Sequence, residues 1–255
     1  MGAIILARII PVIVVDNGQA FHMIRFKKNK YLGDPINICR IFNEKNCDEL
    51  VILDISKNQN ETLLGSGKLE KLSENVFVPI SYGGGLKSEE EIRGAFSSGI
   101  EKIVVKYGSK TFLEVANICA QIYGEQSVVL SINVTFERRF SNYKNGFVPL
   151  RKLEDELNAL NIKCFGEVLV QAVDHCGTDS GINEGIAKIV VKNIDKPVIY
   201  SGGARSFEDV NNLIDYGVEA IAISTLFSLH QVTGAPLISY FDEETRERIN
   251  KIKLF

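Results

Sequence analysis

The strongest constraint on the fold of this chain is an internal repeat that spans half of its length. The segments VPISYGGGLKSEEEIRGAFSSGIEKIVV and KPVIYSGGARSFEDVNNLIDYGVEAIAI align without a gap, which pairs Pro79 with Pro197. Glu49 and Glu167 keep the same offset at the start of two further apolar runs. A fixed offset over such a length indicates a fold built from two similar halves.

Short runs rich in valine and isoleucine alternate with stretches of helix length throughout the chain. The eight runs are RIIPVIVV, ELVILDI, VPISYGG, KIVVKY, SVVLSIN, EVLVQAV, PVIYSGG and AIAIST. Strands that are apolar on both faces are typical of a parallel sheet covered by helices. Ser88 and Ser206, each followed by acidic residues, predict helix starts after the third and seventh runs.

Length and pattern together predict one domain over residues 1–255. A chain of 255 residues with 45% hydrophobic content can bury one large core, and a barrel of this kind takes about 250 residues. We therefore predict an α/β fold, a (β/α)8 TIM barrel built from two half-barrel repeats.

The composition of this chain favours small molecules as its partners. The net charge of −3, without a sustained basic stripe, argues against nucleic acid. No apolar run reaches the ~18 residues of a membrane span, and Arg8 interrupts the N-terminal run, which we interpret as a buried strand. The five cysteines are odd in number and lack a metal-ligand spacing. They predict a reduced, cytoplasmic protein that binds no metal. We also expect no cofactor.

Glycines cluster at the predicted carboxyl ends of the third and seventh strands, the end of a barrel where chemistry takes place. Glycine lets the backbone approach an anion closely, and free N–H groups at a helix start favour phosphate. Two phosphate sites are predicted, one from Gly84, Gly85 and Lys106 and the other from Ser201, Gly202, Gly203, Ser224 and Thr225. Such a pair implies a ligand phosphorylated at both ends. The alternative is that these glycines only permit tight turns.

Several segments together resemble the HisF family, the cyclase subunit of imidazole glycerol phosphate synthase, over nearly the whole chain. They are RIIP at 8–11, GDP at 33–35, DELVILDI at 48–55, GGGLKS at 83–88, the turn at 174–178 and PVIYSGGA at 197–204. The resemblance implies a barrel in which a bis-phosphorylated substrate reacts with ammonia. A partner glutaminase, a HisH-like subunit, releases that ammonia and sends it through the centre of the barrel.

Two positions depart from the family's pattern where it carries out its chemistry. Aspartates at the ends of the first and fifth strands act there as general acid and base, but this chain has Val14 and Asn133. Neither side chain transfers protons usefully, so we expect no catalytic residue at either position and an impaired cyclase (lyase) reaction. Asp174 is a weak candidate for a relocated carboxylate. Cys176 also replaces an aspartate of the family, which indicates an altered substrate.

Other titratable residues near the predicted strand ends are weaker candidates. Asp16 and Asp54 are carboxylates that equally cap a turn. His22 and His175 show no spacing to a nucleophile that can be recognised in the sequence. The basic stretch at 25–30 is either a lid over an anionic ligand or a solvated loop.

Four charged residues each stand immediately before a predicted strand. They are Arg8, Glu49, Lys102 and Glu167. Side chains that enter the barrel from this end are partly buried, and buried charges persist when they are paired, so the mixed signs predict a ring of salt bridges. The resemblance implies that this ring is the gate through which ammonia enters. The alternative is a structural plug.

Three functions are consistent with these features. The first is a barrel subunit of a glutamine amidotransferase-type complex that conducts ammonia to sugar amidation in surface polysaccharide biosynthesis. The WbuZ-type paralogues, which this sequence resembles most, act in this way, beside a glutaminase and a sugar amidotransferase. The second is the cyclase subunit of histidine biosynthesis. The third is a non-catalytic scaffold that activates its glutaminase.

Overall fold

The centre of the molecule is a closed barrel of eight parallel strands, seen in a computed structural model that describes residues 7–136, 146–178 and 180–251. The strands are β1 (Arg8–Asp16), β2 (Leu50–Asp54), β3 (Ile80–Gly83), β4 (Lys102–Lys106), β5 (Val128–Thr135), β6 (Glu167–Ala172), β7 (Val198–Ser201) and β8 (Ala220–Ile223). Each coincides with one of the eight apolar runs. The prediction of a (β/α)8 TIM barrel is therefore confirmed.

The barrel closes through β1, which pairs with β2 on one side and with β8 on the other. Val12 lies opposite Val51, and Arg8 lies opposite Ala220. One apolar cluster fills the lumen, and a larger one lies between the strands and the outer helices. This two-sided burial explains why the strands are continuously apolar instead of alternating.

Helices follow the strands around the outside of the barrel. They are α1 (Pro35–Glu44), α2 (Lys68–Ser73), α3 (Glu89–Ser97), α4 (Phe112–Tyr123), α5 (Leu153–Ala159), α6 (Glu184–Asn193), α7 (Phe207–Asp215), α8 (Thr225–Ser228) and α9 (Glu243–Lys251). Ser88 and Ser206 cap α3 and α7 by accepting the amides of Glu91 and Asp209, which confirms both predicted starts. Among the described helices, none has the length and apolar character to cross a membrane.

An antiparallel hairpin follows β1, and the sequence did not predict it. Its strands are Gln19–Ile24 and Lys27–Gly33. The Arg25 amide donates to the Cys176 carbonyl at 2.8 Å, and Lys30 Nζ donates to the Gly234 carbonyl at 2.6 Å. The hairpin is thus attached to two loops at the carboxyl end of the barrel.

Replacing Gly177 with alanine should detach this hairpin. Gly177 has a φ of +71°, and an added Cβ would lie well inside van der Waals contact with the Met23 carbonyl oxygen. Gly67 is a matched control, because its φ is +69° but nothing lies within 4 Å of the added Cβ. We expect Gly67→Ala to lower the free energy of unfolding by the ~1 to 2 kcal/mol of left-handed backbone strain alone. Gly177→Ala should lower it clearly more, because the added Cβ also clashes with the hairpin. Urea unfolding measures both, and equal losses would contradict the contact.

Candidate functional site

A cavity of about 1030 Å³ lies at the carboxyl ends of the strands. All eight strands contribute to its walls, and the hairpin adds His22, Met23, Ile24, Phe26, Asn29 and Lys30. This size is typical of a site for a small-molecule ligand. The position is the one at which barrels carry out their chemistry.

Residues of the second predicted phosphate site meet in this cavity. Its walls include Ser201, Gly202, Gly203, Ser224 and Thr225. Gly202 and Gly203 have φ values of +112° and +89°, and a Cβ on Gly202 would lie 2.7 Å from the Ala172 carbonyl oxygen. The turn therefore needs glycine at both positions whether or not phosphate binds.

The first predicted phosphate site faces the same cavity only in part. Gly85, with a φ of +67°, and Lys106 lie in the walls. Gly84 is not one of the described wall residues, and the Tyr82 hydroxyl occupies the space that a Cβ on Gly84 would need. Gly84 thus has a packing reason to be glycine, and phosphate binding stays a prediction for both sites.

Positive charge outweighs negative charge around the cavity. Lys30, Lys106 and Arg205 lie in its walls, where Arg205 also pairs with Asp209 at 3.3 Å, whereas Asp54 is the one carboxylate among the described wall residues. Burial lowers the pKa of Lys106. The ring of Phe147, 5.0 Å from Lys106 Nζ, is its described cation–π partner. A cavity with this balance favours anionic ligands.

Val14 and Asn133 both line the cavity, so the two changed positions lie where the family's chemistry is expected. Val14 is opposite Leu53 on β2, and Asn133 is opposite Gln171 on β6. Gln171 and Ser131 also line the cavity, and the sequence analysis missed both. The available signal was the spacing of Ser131 and Asn133, two residues apart, which places them on the same face of β5.

The carboxylates considered as replacements for the family's two aspartates form other contacts. Asp174 Oδ2 accepts Thr135 Oγ1 at 2.9 Å and the Phe136 amide at 2.6 Å, while its Oδ1 is buried without a partner among the described residues. Asp174 is not one of the described wall residues. Asp16 pairs with Lys28 at 2.5 Å.

Asp54 is held by donors from the loop that follows β2. It accepts Ser56 Oγ at 2.6 Å and the Leu63 amide at 2.7 Å. These bonds fix the orientation of the carboxylate. Within the described ranges, no group of three or more His, Cys, Asp and Glu side chains is placed to hold a metal ion.

The two histidines of interest have structural partners. His22 is buried between Asn29 Nδ2 at 3.2 Å and Thr225 Oγ1 at 3.1 Å. His175 Nδ1 lies 2.7 Å from the Gly181 carbonyl oxygen, which only an N–H can satisfy, so this ring carries its proton on Nδ1. Among the printed contacts of the described residues, neither ring bonds to a carboxylate.

Cys176 should remain a protonated thiol up to strongly alkaline pH. Its side chain is half-buried at the border of the cavity, and burial raises its pKa to about 12, with the neighbouring Asp174 carboxylate adding to the shift. Because the thiolate is the reactive form, alkylation by iodoacetamide at pH 8 should be on the order of 10³-fold slower than for an ordinary thiol. Peptide mapping of native and unfolded protein checks this, and a half-rise of reactivity near pH 8.5 would contradict it.

The four charged residues at the opposite end form a closed ring of ion pairs. Arg8 pairs with Glu49 at 2.6 Å and with Glu167 at 2.8 Å, and Lys102 pairs with the same two carboxylates at 3.0 and 3.2 Å. Glu49 is the most buried member, with 2% of its side chain exposed. Its second oxygen accepts Ser81 Oγ at 2.7 Å. The predicted contacts are therefore present, while the role of the ring as gate or plug stays open.

An apolar layer separates this ring from the cavity. It consists of Ile10, Val12, Val51, Val129, Leu169, Ile199, Ala220 and Ala222, with Val14, Leu53 and Val104 packed against it. Several of these residues also line the cavity, so the layer is its floor. The barrel axis thus passes from charged ring to hydrocarbon layer to cationic cavity.

The fold and the site define a class of protein: a (β/α)8 barrel with a cationic cavity at one end and an ion-pair ring at the other. The Histidine biosynthesis protein family matches residues 8–233, and the chain belongs to this family.

Three proteins named as imidazole glycerol phosphate synthase subunits are similar to this chain over nearly their whole length. The putative imidazole glycerol phosphate synthase subunit hisF2 of Pseudomonas aeruginosa is 34% identical over 240 residues, which cover 92% of this chain and 96% of that protein. The putative HisF subunit of Leptospira interrogans is 32% identical, covering 95% and 98%. The HisF subunit of Alkaliphilus metalliredigens is 30% identical, covering 89% and 92%. The chain is thus a HisF-like member of the family.

Proposed function

We propose that this chain is the ammonia-conducting barrel of a glutamine amidotransferase-type complex, with a HisH-like glutaminase docked at the end that carries the ion-pair ring. One observation carries the proposal. The ring and the apolar lumen are intact, while the cavity floor has Val14 and Asn133 and, in the described part of the chain, no free carboxylate. The parts that would pass a small neutral molecule are present, and the acid-base pair is not.

The chemistry of the lumen supports neutral ammonia as the transferred molecule. Ammonium would leave water for a hydrocarbon layer, and an unpaired ion in such a layer is costly. Ammonia has no charge and is small. Since direct ion pairs close the ring, at least one of them must separate for ammonia to enter.

The acceptor of the ammonia, in this proposal, belongs to sugar amidation in surface polysaccharide biosynthesis, with a sugar amidotransferase as a further partner. The likeness to WbuZ-type paralogues supports this acceptor, because such a barrel needs the conduit but not the two aspartates. The cavity would then hold a phosphorylated small molecule at Gly85, Lys106 and the glycines of β7. Its excess of cations supports that role.

A second candidate is the cyclase of histidine biosynthesis, which the names of the relatives favour. This function needs a new general acid and a new general base, and the carboxylates near the cavity are already bound by other residues. Asp174 binds Thr135 and Phe136, and Asp54 is held by its own loop. A displacement of 1 Å at a reacting group can cost ~10²-fold in rate.

The test of the proposal is ammonium-dependent consumption of the cyclase's bis-phosphorylated substrate by the purified chain. We expect no turnover above background, because no side chain at positions 14 and 133 can exchange a proton. An authentic cyclase assayed in parallel controls for the substrate. Turnover at a rate within ~10-fold of that control would replace our proposal with the histidine-pathway function.

A third candidate is a scaffold that only activates its glutaminase. A substitution in the ion-pair ring distinguishes this scaffold from an ammonia conduit. In the complex with the glutaminase, Glu167→Gln should reduce ammonia delivery to the barrel end and leave glutamine hydrolysis unchanged. Delivery is the difference between the glutamine consumed and the ammonia released to the solvent, which are measured together. Equal delivery by the native complex and by the Glu167→Gln complex would favour the scaffold.

A further inference from the structure

Exposed apolar side chains are concentrated at one end of this barrel. Eight large hydrophobic residues are exposed in the described ranges, and seven of them lie in or beside the segments that follow the carboxyl ends of the strands. We call these seven the apolar rim: Ile24, Tyr31, Ile55, Leu113, Phe136, Val232 and Leu237. Single apolar residues are normal on a protein surface, but their collection around one opening is typical of an interaction site.

The apolar rim borders the mouth of the cavity. Ile24 and Ile55 lie in the cavity walls themselves. Val232 lies in the loop after α8, other residues of which also form part of these walls. Lys30 Nζ donates to the Gly234 carbonyl at 2.6 Å, which joins the hairpin to this same loop. A protein that binds to the rim would therefore cover the opening of the cavity.

Positive charge accompanies the apolar rim. Lys27 on the hairpin, Lys57 after β2 and Lys110 after β4 are exposed, and the cavity behind them has an excess of cations. Acidic residues lie farther out, in the first turns of α3, α4 and α7. The chain as a whole has a net charge of −3, so the positive charge at the mouth is local. A partner surface that combines carboxylates with apolar side chains is complementary to this end.

Charge and shape favour a different protein as the occupant of the rim. A second copy of this chain would bring the cations of one rim against those of the other, which is unfavourable. Peripheral proteins commonly bind a lipid surface through an amphipathic helix that lies in the plane of the interface. The rim instead consists of a hairpin, loops and the first turn of α4. An acidic protein face is the occupant that these features fit.

The proposed passage of ammonia gives such a protein a reason to cover the mouth. Ammonia that crosses the apolar layer arrives in the cavity, which opens between the rim residues. In neutral water ammonia takes up a proton and ceases to be a nucleophile. Exclusion of water from the end of the path prevents this loss. The enzyme that consumes the ammonia is therefore the protein expected at the rim.

We propose that the apolar rim is a second docking surface, which binds an acidic and partly apolar face of the ammonia-consuming enzyme. This inference rests on the proposed function, in which that enzyme is a sugar amidotransferase. It places the glutaminase at the end with the ion-pair ring and the acceptor enzyme at the opposite end. The chain then connects two enzymes along one barrel axis.

The first test replaces an apolar side chain at each end of the barrel. Binding of the purified sugar amidotransferase from the same organism is measured by biolayer interferometry on the full chain without its glutaminase. Val232→Ser should raise the Kd about 10-fold, the size expected for an apolar contact inside an interface. Phe77→Ser is the matched control, because Phe77 is 86% exposed against 89% for Val232 but lies before β3, at the other end. It should change the Kd less than about 2-fold.

The second test reverses charge at each end. Lys27→Glu/Lys110→Glu should slow association with the amidotransferase about 10-fold at low salt and less at high salt, because ions screen the attraction. Lys45→Glu/Lys163→Glu makes the same change in net charge on exposed residues that precede β2 and β6. This control should leave the association rate nearly unchanged. Thermal unfolding checks the fold of each variant.

The outcomes separate this inference from the function beneath it. If the native chain does not bind the amidotransferase, or if substitutions at the two ends weaken binding equally, the docking surface is overturned. Tighter binding to vesicles of phosphatidylglycerol and phosphatidylcholine, lost in the same rim variants, would assign the rim to a membrane and overturn it too. Ammonia delivery measured with Glu167→Gln tests the proposed function separately. Delivery without amidotransferase binding leaves that function standing, whereas absence of delivery removes both.

Discussion

Replacing Glu49 with glutamine is expected to lower the free energy of unfolding by about 3 to 5 kcal/mol, the range for breaking a buried ion pair from one side. The Glu49 side chain is almost fully buried, and it binds Arg8, Lys102 and Ser81. Glutamine keeps the shape but leaves two cations facing the single charge of Glu167. Urea unfolding monitored by circular dichroism measures the loss.

Two controls distinguish the effect of losing a buried ion pair from the effect of losing a negative charge. Glu89→Gln removes one partner of an exposed pair with Arg93 in α3 and should be nearly neutral, since solvent screens surface pairs. Adding Lys102→Met to Glu49→Gln restores a balance of one cation and one anion in the ring and should recover part of the stability. A loss in Glu49→Gln no larger than that in Glu89→Gln would show that solvent reaches the ring.

The double variant Val14→Asp/Asn133→Asp is expected to gain ammonium-dependent cyclase turnover above that of the native chain, for which we expect none. Each proton-transfer partner contributes ~10² to 10⁴-fold in rate, and both positions already border the cavity. Gln171 Nε2, which now donates to Asn133, can donate equally to an aspartate and hold it in place. Consumption of the bis-phosphorylated substrate measures the gain.

Val14→Asn is the matched control for this gain, because it has the size and polarity of the aspartate variant but cannot exchange a proton. It should stay inactive. If it gained as much turnover as the double variant, polarity and not proton transfer would be the missing property. A double variant as inactive as the native chain would contradict the prediction and locate the loss in substrate fit.

Features that depend on local pattern were accessible from the sequence alone. The strands follow from their apolar runs, the starts of α3 and α7 from Ser88 and Ser206, and the ring from charges placed just before strands. Parallel strands of one barrel bring their ends together, so residues far apart in the chain could be placed in the same layer.

Features that depend on tertiary contacts were not accessible. The hairpin strands QAFHMI and KKNKYLG lack the continuous apolar character of the barrel strands, and the hairpin is held by bonds to Cys176 and Gly234, which are distant in the chain. Asp174 was placed near the cavity by its position after β6. The orientation of its side chain towards Thr135 depends on a contact that no local pattern records.

The ion-pair ring is divided unequally between the two halves of the repeat. Arg8, Glu49 and Lys102 belong to the first half, and only Glu167 comes from the second. A first half expressed as a separate fragment would carry two cations and one anion into the barrel axis, and two such fragments together would double that excess. Charge as well as shape would therefore direct each half-barrel fragment to its unlike counterpart, which makes the ring a determinant of fragment complementation.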